Sequence, residues 1–441
     1  MSTDLTWIGE KARKEPGLVF TSLYHHVTDL DNLRDCYEAL KGDKALGVDG
    51  VTKEQYGENL EENLQNLSDR LKRMGYRPQP SRRSYIPKSG SEKGRPLGIS
   101  CFEDKIVELA VKRVLEPIYE EDFEDSSYGY RPERNQHMCL DKLGRTIQQK
   151  RVNHLVEADI RGFFDEVSHE WMIKFLEHRI GDPRIIRLIK RMLRGGIMED
   201  GLVRASEKGT PQGSILSPLL SNIYLHYALD LWFSRRVKKQ CRGEAYYFRF
   251  ADDFLAGFQY EADAEGFENR LSDRLEGFCL EVAKEKTHCI EFGRFARTNA
   301  QKRGQKPKEF TFLGFTHYCG KTRHGKFKVK RRTSRKKFAQ SLREFTEWVR
   351  KSRAVLRKGE MLQQAKTRVG GHLSYYAITD NSEKCSAYHY YATQILFKWL
   401  NRKSQRKSYT WEGYNQALRW ARWPKPNIRK DLNPFRSFEA I

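Results

Sequence analysis

The sequence predicts an α+β protein whose strand-bearing part is followed by a basic, mainly helical region. Three observations predict it. Between Ala245 and Phe258 two aromatic-rich apolar runs flank the acidic pair Asp252 and Asp253. Aromatics favour strands and Asp favours turns, so this reads as a hairpin with carboxylates at its tip. A second strand-like run, Leu155 to Ile160, carries Asp159 near its end. From Lys321 the composition shifts, and residues 321–360 hold 16 Lys or Arg against three Glu.

In chain order, Leu30 to Leu71 has a helical pattern interrupted at Ala45-Leu-Gly-Val-Asp-Gly50. Pro78 and Pro80 open an extended stretch that reaches Lys88; residues 89–94 form a loop before Arg95-Pro-Leu-Gly98. Ile106, Leu109, Ala110, Val114 and Ile118 repeat at helical spacing and predict a helix over 102–119. The run ending in Asp159 is a strand, and Glu170 to Arg194 a helix that stops at Gly195-Gly196. Gly209-Thr-Pro-Gln-Gly213 is a turn into an apolar helix over 216–229. The acidic hairpin follows, then an amphipathic helix over 264–278. Helical patterns containing Trp348, Trp399, Trp411 and Trp420 run towards the C-terminus. The expected division is 1–85, 86–320 and 321–441, with no internal repeat of solenoid period.

Charge narrows the class of partner. Lys and Arg number 81 against 58 Asp and Glu, a net +23, with pI near 9.6. Such an excess points to a polyanion, nucleic acid before an anionic membrane. No apolar run reaches the roughly 18 residues of a membrane span. Residues 1–16 are polar and charged, without an apolar signal segment. The eight cysteines form no Cys-x-x-Cys pair, which argues against a zinc site or disulfide framework and suits a reducing cytosol.

An adjacent Asp pair in a turn is ordinarily solvated punctuation. A third carboxylate on another strand changes that reading. Carboxylates gathered from two strands repel one another unless a multivalent cation neutralises them, and hard oxygen ligands suit Mg²⁺. Paired ions in such a cluster are a device for phosphoryl transfer.

The ordered set of Lys88 and Arg95, Asp159 with Phe164, Gly209-Thr-Pro-Gln-Gly-Ser214, Ala251-Asp-Asp253 and Phe312-Leu-Gly-Phe315 resembles a reverse transcriptase. The stretches Asp159-Ile-Arg-Gly-Phe-Phe-Asp165 and Pro211 to Tyr224 resemble the group II intron-encoded enzymes, and Gly371-His-Leu-Ser-Tyr-Tyr376 resembles their maturase region. The resemblance spans about residues 30–430. It implies a right-hand polymerase: fingers beginning within 1–85, fingers and an antiparallel-sheet palm over 86–320, and a helical maturase-like thumb over 321–441.

The site residues follow from the same resemblance. Asp159, Asp252 and Asp253, with the Ile160 carbonyl, would hold two Mg²⁺ ions, for which Mn²⁺ can substitute. Lys88 and Arg95 would clamp the incoming triphosphate, towards which Gly162 and Phe163 offer backbone N–H groups. Phe164 would lie under the sugar and exclude a 2′-hydroxyl, while strand alternation turns Asp165 to the opposite face. Gln212 would lie against the nucleotide, and Lys286 would be a general acid for pyrophosphate. Phe250, Ala251, Leu313, Gly314 and Phe315 would contact primer and template. Lys328, Lys330, Arg331, Arg332, Arg335, Lys336 and Lys337 would contact nucleic acid. Two positions depart from the family pattern: Phe250 stands where Tyr is usual and His372 where Trp is usual.

The implied partners are an RNA template, a DNA primer, deoxynucleoside triphosphates and a cognate group II intron RNA, with no membrane. The bacterial cytosol is the expected location. Two other readings stay open: a free-standing relative used in DNA repair or phage defence, and a splicing maturase without polymerase activity.

Overall fold

The computed structural model describes residues 5–86, 94–204, 207–402 and 408–436. Lys88 and most of the loop after it lie outside the described residues. The described strands are β1 Ser81–Ile86, β2 Arg95–Ile99, β3 His154–Ala158, β4 Ile197–Glu199, β5 Leu202–Arg204, β6 Ala245–Phe250, β7 Asp253–Phe258, β8 His288–Glu291, β9 Phe310–Phe312, β10 Phe315–Lys321 and β11 Phe327–Thr333. They form three sheets, in the orders β2-β1-β4-β5, β6-β7-β3-β8 and β11-β10-β9.

The chain divides into two compact units. The first comprises Met1–Gln136, Val156–Ala256 and Ala262–Cys289; the second comprises His137–Leu155, Gly257–Glu261 and Ile290–Ile441. The division therefore falls near 290, not at the composition break near 320. The reason is pairing: β10 bonds to β9 on one side and to β11 on the other, which keeps residues 310–333 in one unit, and Gln148 of the helix Gln136–Gln149 joins that sheet. Gln148 donates to Phe327 O at 2.7 Å and accepts from Val329 N at 3.2 Å. The second unit thus combines an antiparallel sheet, with Phe315 opposite Phe312 on one side and Thr333 on the other, with the helices Arg335–Val355, Lys358–Tyr376, Ser382–Leu400 and Trp411–Trp420.

In the first unit the helix Phe102–Asp122 is the core element. Ile106, Val107, Ala110, Val111, Val114, Leu115 and Ile118 are all fully buried. Apolar residues on most sides of a helix mean burial on most sides. Each Val, Leu or Ile among them contributes roughly 1.5–3 kcal/mol on leaving water.

The expected helix over 170–194 is two helices, His169–Glu177 and Pro183–Leu193. Asp182 caps the second by accepting from Arg184 N, and Pro183 occupies its first turn, where no N–H is required. The apolar helix after residue 216 is α-helical over Ser217–Leu225 and then widens into π-helical turns, His226–Asp230 and Phe233–Val237. Among the described residues no helix is long and apolar enough to cross a membrane.

Candidate active site

The hairpin forms as its sequence suggests: β6 and β7 are joined through Ala251 and Asp252. Ala251 takes a left-handed backbone, φ 58°, which is uncommon for a side chain with a Cβ and marks a specified turn. Asp252 is half-buried at the tip and Asp253 opens β7. The neighbouring strand β3 ends at Ala158, so Asp159 follows it directly. The carboxylates feel one another. Burial raises the pKa of Asp252 and the charge of Asp159 raises it further, while Arg95 and Arg249 oppose the shift. Glu157, on β3, is pushed up to about 7 by burial and by Asp253 and Asp159.

Lys286 forms an ion pair with Asp159 Oδ2, and this partner raises the lysine pKa. Among the described residues no three His, Cys, Asp or Glu side chains close on one point as a ready-made ion cage. The donors that Asp159, Asp252 and Asp253 carry are carboxylate oxygens, the chemistry a hard divalent cation takes. Ile160 and Val282 form an antiparallel bridge, flanked by the bonds Ala283 N to Asp159 O and Arg161 N to Glu281 O, each 2.8 Å. Ile160 is therefore a non-hydrogen-bonded pair with Val282, and its carbonyl takes no part in that ladder.

The remaining motifs of the first unit meet through backbone contacts. Gly162, with φ 56°, precedes a short helix, Phe163–Glu166, and its carbonyl accepts from Asp165 N at 2.8 Å. Strand alternation therefore does not apply to Phe164 and Asp165; helical geometry sets their directions, and Asp165 lies within hydrogen-bonding reach of Gln212. Phe163 is buried and meets Phe164 edge-on with ring centroids 5.3 Å apart. Its side chain is core, so only its backbone can face a ligand. Phe164 is partly exposed, and its carbonyl accepts from Thr210 N at 2.7 Å.

The Pro211-Gln-Gly213 turn docks on β2. Gly98 N donates to Gln212 O at 2.7 Å, and a Cβ on Gly213 would lie 2.8 Å from Gly98 O, a contact only glycine permits. From below, Glu108 accepts from Ile215 N and from Ser100 Oγ, both at 2.7 Å. Arg95, which opens β2, is exposed.

In the second unit Leu313 and Gly314 form the two-residue turn between β9 and β10, with φ of 48° and 80°. Positive φ at both positions is the hairpin pattern that matches strand twist. The turn is held by the Gly371–Tyr376 motif: Tyr375 Oη donates to Leu313 O at 2.8 Å, and a Cβ on Gly314 would meet Tyr376 Oη at 2.9 Å. Phe315 is buried and stacks on Tyr375. His372 stacks on Tyr388, with centroids 3.5 Å apart, and burial lowers its pKa to about 4. A neutral imidazole therefore takes the ring position where Trp is usual.

Two of the expected nucleic-acid contacts need correction. Arg331 is fully buried and donates to Leu140 O and Leu432 O, and Lys328 is buried against Asp380 at 2.9 Å. Both fold the second unit and neither presents its charge outward. Lys330 and Arg332 are partly exposed, Arg332 pairing with Glu309 at 2.7 Å. Arg335, Lys336 and Lys337 are exposed.

Sequence reasoning passed over four residues beside the hairpin: Arg249, Asp230, Asn222 and Tyr130. Arg249 had a signal, a charge inside the apolar run of β6; the others had none. Tyr130 has φ 60°, and its phenol pKa is raised by burial and by Asp252.

Residues 86–317, just over half of the chain, match the family described as reverse transcriptase (RNA-dependent DNA polymerase). The chain is 39% identical over 219 residues to the group II intron-encoded protein LtrA of Lactococcus lactis subsp. cremoris, an alignment covering 50% of this chain and 36% of LtrA. It is 35% identical over 285 residues to protein YkfC of Escherichia coli, covering 57% of this chain and 72% of YkfC. Nuclear intron maturase 2, mitochondrial, of Arabidopsis thaliana is 28% identical over 179 residues, 31% of this chain and 24% of that protein. The chain thus spans little more than a third of LtrA. It belongs to the reverse transcriptase family, within the group II intron-encoded reverse transcriptase/maturase branch.

Proposed function

We propose that the protein is an RNA-directed DNA polymerase of group II intron type, extending a primer 3′-hydroxyl on an RNA template with deoxynucleoside triphosphates. One observation carries the reading: Asp252, on a specified left-handed turn, is coupled electrostatically both to Asp159 after the adjacent strand and to Arg95. An incoming metal–triphosphate would supply both the cation that the carboxylates need and the anion that the guanidinium needs.

Two Mg²⁺ ions held by Asp159, Asp252, Asp253 and the Ile160 carbonyl would supply charge neutralisation and a more acidic primer hydroxyl. The chain's own residues do the rest. Arg95, with Lys88, binds the phosphates and stabilises charge that grows during transfer. Phe164 occupies the space of a 2′-hydroxyl. Gln212 stands against the nucleotide, steadied by Asp165 and by Gly98. Lys286, the ion-pair partner of Asp159, would protonate the departing pyrophosphate.

The second unit supports the RNA-binding half of the proposal. The helix Arg335–Val355 opens with Arg335, Lys336 and Lys337 and no acidic residue in its first turn. Cations there oppose the helix dipole, which favours anions at that end. A phosphate backbone would reverse the penalty.

The test is primer extension on an RNA template with dNTPs and Mg²⁺. Asp252→Asn should reduce synthesis by on the order of 10³-fold while RNA affinity stays near wild type. Wild-type RNA binding with no synthesis would leave only the splicing reading. An intron RNA fold in the flanking DNA would separate intron mobility from repair or defence.

A further inference from the structure

Arg249 lies in β6, directly behind the catalytic turn, and is fully buried. A buried charge is costly unless it is paired and its donors are all placed. Here they are. Nε donates to Asp230 Oδ1 at 2.8 Å and Nη2 to Asp230 Oδ2 at 2.6 Å, a bidentate pair that is itself fully buried. Nη1 reaches Asn222 Oδ1 at 2.9 Å and the Ala251 carbonyl at 3.0 Å. Asn222 in turn donates to Gly129 O at 2.7 Å.

The far side of the turn is closed as tightly. The segment around Ser127 runs beside β6, with Arg249 N donating to Ser126 O at 2.8 Å and Tyr128 N to Arg249 O at 2.9 Å. A Cβ on Gly129 would stand 2.3 Å from Ala251 N. Asp230 reaches its partner from the π-helical turn His226–Asp230, a widened geometry that often marks a functional position. Ala251 is thus gripped through its carbonyl and through the backbone beside its amide, in a left-handed conformation that alanine does not favour.

A well-packed apolar pair of similar volume would fill the same core space as stably as the ion pair. What only the ion pair supplies is a guanidinium donor aimed at Ala251. We propose that Arg249, with Asp230 and Asn222, is the positioning device of the catalytic hairpin. It fixes the left-handed Ala251 and so the direction in which Asp252 is presented. The kinetic part of this inference rests on the polymerase reading above.

The double substitution Arg249→Met with Asp230→Leu removes the device and keeps the volume. The expected result is wild-type primer–template affinity and dNTP KM, a lower melting temperature because the buried Ala251 carbonyl and Asn222 Oδ1 lose their donor, kcat lower by about 100-fold, and faster amide hydrogen exchange confined to residues 250–253. Wild-type kcat and wild-type exchange at the turn would overturn the proposal and leave an ordinary core pair. If the double variant does not fold, Asn222→Ala keeps the ion pair and cuts its link to Gly129. It should speed exchange at 250–253 and lower kcat with KM held, and wild-type values in both would overturn the proposal. If the wild-type protein makes no DNA, the polymerase reading fails separately, and exchange at the turn still decides the positioning role.

Discussion

Phe164, the proposed sugar gate, stands directly beside a core aromatic. Its neighbour Phe163 is buried against the same helix turn, whereas Phe164 keeps part of its ring at the surface and gives its carbonyl to Thr210. A rigid ring held by its own backbone discriminates by volume, and volume discrimination is modest per atom but adds up over a ring. Phe164→Ala should raise ribonucleotide use relative to deoxynucleotide use by roughly 10- to 100-fold. Competing rNTP and dNTP in single-nucleotide extension measures it, and an unchanged ratio would remove the gate assignment. Asp165 was expected to face away from this site. It stands instead beside Gln212, because one helical turn replaces the extended backbone assumed for it.

Among the elements, the helix Pro183–Leu193 depends on a single carboxylate. Asp182 is fully buried and accepts from Arg184 N, Leu23 N and Tyr24 N at 3.0, 3.0 and 2.9 Å. Burial alone would raise its pKa, but these amides and the Arg184 side chain hold it below the usual carboxylate value. The folded state therefore favours the charged form. The stability it contributes is present above the unfolded value of about 3.9 and is lost as pH falls through the lower folded value. Asp182→Ala should cost about 2–4 kcal/mol at neutral pH, a lost cap plus two orphaned amides. Urea unfolding across pH checks this: the gap between wild type and variant should close below about pH 4. A gap that persists there would mean packing, not charge, is what Asp182 supplies.

For the molecule as a whole the quantity to explain is a net charge of +23. Not all of it faces outward. Arg331 and Lys328 are internal to the second unit, while Arg335, Lys336 and Lys337 lie exposed at a helix N-terminus. Binding through phosphates releases counterions, so affinity falls with salt in proportion to the contacts made, with a slope of about 0.7 per contact on a single strand. Replacing Arg335, Lys336 and Lys337 together by Ala should shrink the log–log salt slope of RNA binding by about 2. Arg331→Ala should leave the slope unchanged and lower the melting temperature, because carbonyls of Leu140 and Leu432 lose their donor. Titrations between about 50 and 200 mM salt separate the two, and an unchanged slope in the triple variant would place the RNA elsewhere.

The amino-acid sequence by itself determined the hairpin that carries Asp252 and Asp253, the strand that leads into Asp159, and the family. Aromatic alternation around an acidic pair is a local pattern, and motifs in fixed order survive any uncertainty about packing. It could not show where the chain closes on itself. That 137–149 packs with a sheet more than 150 residues further on, that Arg331 is internal, and that a guanidinium in β6 grips the Ala251 carbonyl are decided by tertiary contacts alone. Burial of a charge is set by which distant carbonyls and carboxylates reach it, and no window along the sequence contains them.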